Sequence, residues 1–170
     1  MQSIHRLIRF FRSFSLLAFI IVLFFCYVSL PGEVAVHYND NGSPDMFIDK
    51  SQLFYGLAIF IVVLNTAFML LSNLVPSLPI RRIRLPSAQF WAEHRNSLLR
   101  ILLNWIHSFV GMTNLFVMGC LIAVVLLNTS ENAQITHYGW LLAVGAGLLL
   151  GWLVYVPLRL NRKIANYEDE

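Results

Sequence analysis

Two groups of residues in this chain have types and spacings suited to chemistry. The first is a polar stripe inside an otherwise apolar stretch. Asn104, His107, Gly111, Asn114 and Met118 recur at offsets of 0, 3, 7, 10 and 14, which is one face of a helix. His107 is the imidazole that falls inside an apolar run, and an ionisable group in such a place is a functional candidate by default. With Asn65 from a second apolar run, the stripe could line a polar cavity for a substrate or a proton. No Asp, Glu, Lys or Arg lies in any apolar run to accompany the imidazole, which argues against a proton-coupled pump. The competing use is hydrogen bonding between helices, worth about 0.6 kcal/mol per bond in lipid.

The second group lies in the hydrophilic segment 31–52: His37, Tyr38, Asn39, Asp40, Gly42, Pro44, Asp45 and Lys50, with Asp49 beside them. An imidazole among carboxylates suits three tasks. It can shape the loop by internal hydrogen bonds, recognise a ligand, or hold a divalent metal. The spacing fits no established metal motif, and the chain shows no nucleophile with a matching base. The expectation is therefore no catalytic residue, no metal and no cofactor, with the eight residues forming a recognition surface. Val34, Val36 and Tyr38 alternate with Ala35, His37 and Asn39, which predicts a short extended piece. Asn39-Asp40-Asn41-Gly42 is dense in turn formers. Pro44-Asp45 reads as a second turn or a helix start, with Asp45 as its cap.

Both groups need a scaffold, and the distribution of charge supplies it. The chain has 170 residues, 58% hydrophobic and 12% charged, against about 25% charged in a typical soluble domain. Every Asp, Glu, Lys and Arg falls outside four apolar runs: Phe14–Leu30, Leu53–Val75, Ile101–Leu127 and Gly139–Pro157. Each is long enough to cross a hydrocarbon layer, which takes roughly 17–25 helical residues. The expected fold is all-α: one four-helix membrane bundle with an ordered cap loop at 31–52 and a basic loop at 76–100. The first run lacks a small-residue cleavage site and reads as a retained span rather than a signal peptide. Cys26 and Cys120 both lie in spans and act as small hydrophobes.

Orientation follows from the basic residues. Under an alternating topology eleven of the twelve Lys and Arg share one side, Lys50 being the exception. The positive-inside rule makes that side cytoplasmic, with both termini on it. Arg81, Arg82 and Arg84 form a juxtamembrane cluster suited to anionic headgroups. Nothing points to nucleic-acid binding, because the basic residues serve topology. Segment 87–100 reads as an interfacial amphipathic helix running into the third span. In the fourth run Ala143, Gly147 and Gly151 recur every fourth residue, a small-residue face expected to press against another helix of the bundle. A homo-oligomer seam is its competing use. Pro157 is expected to mark a bend where that helix leaves the membrane.

The segment 31–52 also carries a resemblance. Leu30-Pro31, Val34, His37-Tyr38, Gly42, Pro44-Asp45 and Lys50 resemble the pattern Leu-Pro-x-x-(Val/Ile)-x-x-His-aromatic, then Gly-x-Pro-Asp and a following Lys. That pattern belongs to the small domain of unknown function at the N-terminus of SdpI-type membrane proteins. Leu85-Pro86, Trp91 and Arg95 are similar to a stretch in four-helix members of that group. The resemblance implies a bacterial cytoplasmic-membrane protein. It also implies a sensor or immunity role toward a secreted peptide, or a part in a larger membrane complex. The remaining alternative, drawn from the stripe itself, is a small permease-like subunit.

Overall fold

The computed structural model describes residues 2–77, 79, 88–130 and 138–161. Helix α1 (Gln2–Ser29) leads into strand β1 (Glu33–Tyr38) and strand β2 (Pro44–Asp49). Helix α2 (Lys50–Leu74) follows and ends in a 3-10 turn at Val75–Ser77. A short helix α3 (Ala88–Glu93) precedes the long α4 (Arg95–Thr129), and α5 (Gly139–Asn161) completes the order. Four of these helices are long and apolar enough to cross a membrane. The chain is a multi-pass membrane protein, with four spans and a two-stranded hairpin among the described residues. Arg81, Arg82, Arg84, Leu85, Pro86 and the tail after Asn161 lie outside the described residues.

The bundle is built on α1 and α4, which run parallel. Their contacts pair His5 with Asn104, Arg12 with His107 and Ser15 with Asn114, so both helices advance in the same direction. Along α1 and into the residue that follows it, Arg12, Ser15, Phe19, Leu23, Cys26 and Leu30 follow steps of three and four. That spacing keeps one seam turned to a neighbouring helix. The half toward the hairpin is apolar. Phe19, Leu23, Cys26 and Leu30 bury against Leu121 and Val125 of α4, Ile61 of α2 and Val34 of β1. The other half is polar. The surface is the reverse of a soluble protein: Phe14, Leu17, Ile21, Phe24 and Val28 face outward while Ser15 and Asn114 are fully enclosed. Lipid makes that arrangement stable, since apolar side chains lose nothing in hydrocarbon whereas polar ones need partners.

At the opposite end from the hairpin, α3 is a separate helix and does not continue into the third span. The two helices are separated at His94, whose backbone (φ −103, ψ 39) leaves the helical region. The amphipathic helix expected over 87–100 is thus two pieces. Trp91, expected at the interface, is buried with Leu98, Val156 and Leu160. Helix α5 is held to α4 there by a reciprocal lock: the Trp105 indole donates to the Trp152 carbonyl (2.8 Å), and the Trp152 indole to the Trp105 carbonyl (3.5 Å). Helix α5 runs through Pro157 to Asn161.

The small-residue face of α5 is a further correction. A Cβ added at Gly147 or Gly151 meets nothing within 4 Å, and Ala143 is exposed. The glycine that packs is Gly145, where a Cβ would run into the Phe116 ring of α4. Gly111 does the same for α1 and α4, its Cβ position lying 2.5 Å from the Phe11 ring.

Candidate functional site

The hairpin occupies most of segment 31–52, and β2 is its unforeseen half. Pro44-Asp45 opens a strand, not a helix. The helix start lies four residues on, where Asp49 Oδ1 accepts from the Ser51 backbone N–H at 2.6 Å. Asp49, not Asp45, is the cap. That bond holds its carboxyl below the ordinary carboxylate range. The cap is at full strength above the unfolded carboxylate pKa and fades as pH falls through the lowered folded value. Asp49→Ala should fray the first turn of α2, seen as faster exchange of the Ser51 amide, and should abolish that acid-induced fraying.

Most of the expected recognition residues build the hairpin. Asn39 Oδ1 accepts from the backbone N–H groups of Asn41 and Ser43, both at 3.0 Å. Gly42 takes φ 77, which a residue with a Cβ rarely adopts. Lys50 Nζ reaches the Leu30 carbonyl at the end of α1 (3.5 Å) and lies 5.2 Å from the Tyr27 ring centre. Pro44 stands opposite Tyr38 in the register, and partial burial raises the Tyr38 phenol above its usual pKa. His37 Nδ1 and Asp45 Oδ1 pair across the strands at 2.5 Å on the exposed surface. Asp40 stays exposed at the turn. Among the described residues, no group of three His, Cys, Asp or Glu side chains is gathered in a way that would hold a metal ion.

A residue outside the segment anchors the hairpin. Asn128 of α4 donates to the Ala35 carbonyl (3.1 Å) and accepts from the Ala35 N–H (2.8 Å). Its amide thus closes β1 as a neighbouring strand would. The register explains why Ala35 is available. Lys50 N–H donates to Gly32 C=O (3.0 Å), and the pairs continue as Glu33↔Asp49, Val34↔Ile48 and Ala35↔Phe47. Bonded and non-bonded pairs alternate in an antiparallel ladder. Ala35 and Phe47 therefore form a non-bonded pair whose backbone groups point outward. Asn128 takes those of Ala35, and those of Phe47 face the open edge of β2. The same strand leaves Met46 and Phe47 57% and 51% exposed. Asn128→Leu leaves two backbone groups of a buried residue unmet, at about 1 kcal/mol each. Hydrogen exchange across 33–49 should rise roughly 20- to 30-fold, with α1 and α4 unchanged.

The asparagines and the imidazole of the polar stripe bond to side chains of α1 and α2. Asn65 Nδ2 donates to Asn114 Oδ1 (2.9 Å), and Asn114 Nδ2 donates to Ser15 Oγ (3.2 Å). His5 Nδ1 donates to Asn104 Oδ1 (2.5 Å). Contrary to the expectation that no charged residue accompanies His107, Arg12 does. Its Nη1 lies 3.2 Å from His107 Nδ1, and its Nη2 donates to the Asn65 carbonyl at 3.0 Å. Arginine offers donors alone. His107 Nδ1 must accept, so the imidazole is neutral here with its proton on Nε2. These bonds join α1, α2 and α4 at one level of the bundle.

Only spacing hinted at the missed residues. Asn128 lies fourteen residues beyond Asn114 on the same seam, and Arg12 lies three before Ser15. Asp49 precedes the second apolar run at the spacing of an N-cap. No curated protein and no solved structure matches the chain. Residues 14–62, which hold most of α1, the whole hairpin and the first half of α2, match the family described as "Domain of unknown function (DUF1648)".

Proposed function

We propose that this chain is a non-enzymatic protein of the bacterial cytoplasmic membrane, both termini inside, whose hairpin binds an extracytoplasmic partner by strand pairing. The observation that carries this reading is the asymmetry of the hairpin edges. Asn128 closes β1, while β2 offers an open backbone position at Phe47 flanked by exposed apolar side chains. Natural proteins usually blunt such an edge, and strand addition to an open edge is a recurring mode of peptide recognition. The partner is an extended segment of a secreted peptide or of another membrane protein. The likeness to SdpI-type proteins rests on the motif residues, and an immunity or sensing role toward a peptide accords with it. The polar network favours a bundle-holding role over a permease, because Asn65, Asn114, Ser15, Arg12 and His107 bond one another across three helices.

The clustering of basic residues supports the orientation. Asn41→Cys should react with an impermeant thiol reagent from outside intact cells, and Ser87→Cys should not. The function is tested by a photo-crosslinking residue at Met46 in native membranes. A discrete adduct with a polypeptide, absent from the same residue at lipid-facing Ile21, is expected. Lipid adducts alone at Met46 would refute the reading. A second reading, an accessory subunit, is favoured by the open face of Ala143, Gly147 and Gly151. Crosslinks from Gly147 to a second membrane protein, with none from Met46, would select it.

A further inference from the structure

Side chains alternate between the two faces of a strand, and residues paired across strands share a face. The register pairs Ala35 with Phe47 and Glu33 with Asp49. Phe47, Asp49 and Glu33 therefore lie on one face of the hairpin. Val34 and Ile48 lie on the other, where Val34 is wholly buried against the bundle. Phe47, Asp49 and Glu33 are all exposed. The outer face thus presents an aromatic ring at the β2 edge and, beside it, two carboxylates set opposite each other.

Like charges directly opposite each other destabilise a sheet. Glu33 and Asp49 form a non-bonded pair, by the same alternation as Ala35 and Phe47, and side chains stand closer in such pairs. Among the described residues neither Glu33 nor Asp49 is in an ion pair; His37 and Asp45 pair with each other. Lys50 turns its ammonium to the Leu30 carbonyl and the Tyr27 ring, and its pull on the Asp49 carboxylate is a minor one. Segment 31–52 holds four carboxylates against that one lysine. The hairpin keeps a repulsion that a cation arriving from outside would relieve.

The same charges argue against a second copy of this chain on the edge. Two β2 strands meeting antiparallel about Phe47 would bring the Asp45 and Asp49 carboxylates of the two copies together. A foreign strand, whichever way it runs, places alternate side chains over the outer face. One opposite Phe47 would meet the ring, which suits a β-branched residue. The side chain two residues along would meet Asp49, with Glu33 behind it. The field of the hairpin also raises the encounter rate of an oppositely charged partner that diffuses freely, an advantage that a partner tethered in the same membrane does not need.

Resting on the strand-pairing reading above, we propose that the occupant of the β2 edge is a free cationic peptide in extended conformation. It places a β-branched residue opposite Phe47 and a lysine or arginine two residues along, against Asp49.

The test uses the full chain in phosphatidylcholine nanodiscs, with the photo-crosslinker at Met46 and synthetic peptides as probes. The cationic probe is Val-Thr-Lys-Thr-Val-Thr-Lys, and the anionic one has glutamate for lysine. A third keeps the lysines and has proline for each threonine, which spoils strand pairing. The cationic peptide should be captured roughly 10-fold more than the anionic one at low salt. At 1 M salt, where the Debye length is about 3 Å, the preference should shrink to roughly 2-fold. E33Q/D49N, in which asparagine can still cap α2, should bring the two peptides within about 2-fold of each other. E33Q alone, which leaves the cap untouched, should move the ratio the same way. The proline peptide should not be captured. Equal capture of the cationic and anionic peptides, with the proline peptide excluded, would overturn the charge assignment and leave strand pairing intact. Capture of none of the three, or of all three alike, would overturn strand pairing and this assignment with it. An adduct between two copies of the chain, or in native membranes an adduct with an integral protein alone, would overturn the choice of occupant.

Discussion

Arg12→Leu is expected to destabilise the bundle by about 2 kcal/mol in detergent. Arg12 lies seventeen residues before Ser29, roughly 26 Å along the axis at ~1.5 Å per residue. In a ~30 Å hydrocarbon layer that places it near the far boundary, where its stem can bury while the guanidinium meets protein acceptors. It meets two, His107 Nδ1 and the Asn65 carbonyl, and so joins three helices at one point. Hydrogen bonds to charged groups contribute about 1.5–3 kcal/mol each in soluble proteins. The side chain is half-buried, and a chain unfolded within lipid also finds partners, so the two together come to about 2. Leucine leaves His107 Nδ1 without a donor. A double-mutant cycle of Arg12→Leu with His107→Leu, measured by thermal or denaturant unfolding, should show positive coupling of about 1 kcal/mol. Arg12→Lys should recover part of the loss, since one ammonium lacks the fork that spans both acceptors. Additive effects in the cycle would mean that the Arg12–His107 contact carries no stability.

The second large effect separates glycines that look alike in sequence. Gly145→Leu should lower stability by roughly 1–3 kcal/mol, the usual range for overpacking, because the new Cβ enters the space of the Phe116 ring. Gly147→Leu and Gly151→Leu should be neutral or stabilising. Their Cβ positions are open, and replacing glycine in a helix interior recovers about 0.5–1 kcal/mol of backbone entropy. Thermal unfolding of the three variants in one detergent gives the comparison. If Gly147→Leu proved the most damaging, the face that α5 turns to α4 would be wrongly assigned.

These cases show what the sequence could and could not reveal. The four spans were legible because lipid excludes charge over a fixed thickness, a rule that leaves its mark residue by residue. The beginning of α1 was not legible. Arg6, Arg9 and Arg12 look like solvated topology residues, yet Arg12 is a seam residue whose acceptors, on α2 and α4, are distant in sequence. The stripe from Asn104 to Asn114 was legible as a face. Its continuation to Asn128 passes through Leu121 and Val125, where apolar packing interrupts the polar pattern. Strand β2 was hidden by Pro44-Asp45, which serves a helix start and an edge strand equally well. Small-residue spacing in α5 showed where a helix could approach closely. Which glycine is used depends on where the neighbouring helix presents Phe116, and no local pattern encodes that.

The decisive measurement compares Phe47→Ala with Phe47→Pro, each carrying the photo-crosslinker at Met46 in native membranes. Both variants lose the aromatic ring, but only proline removes the outward N–H, and an edge strand accepts proline where that group faces solvent. Strand pairing at β2 predicts that the polypeptide adduct survives in Phe47→Ala and disappears in Phe47→Pro, with the hairpin's hydrogen-exchange protection intact in both. Equal adduct yields from the two variants would contradict it.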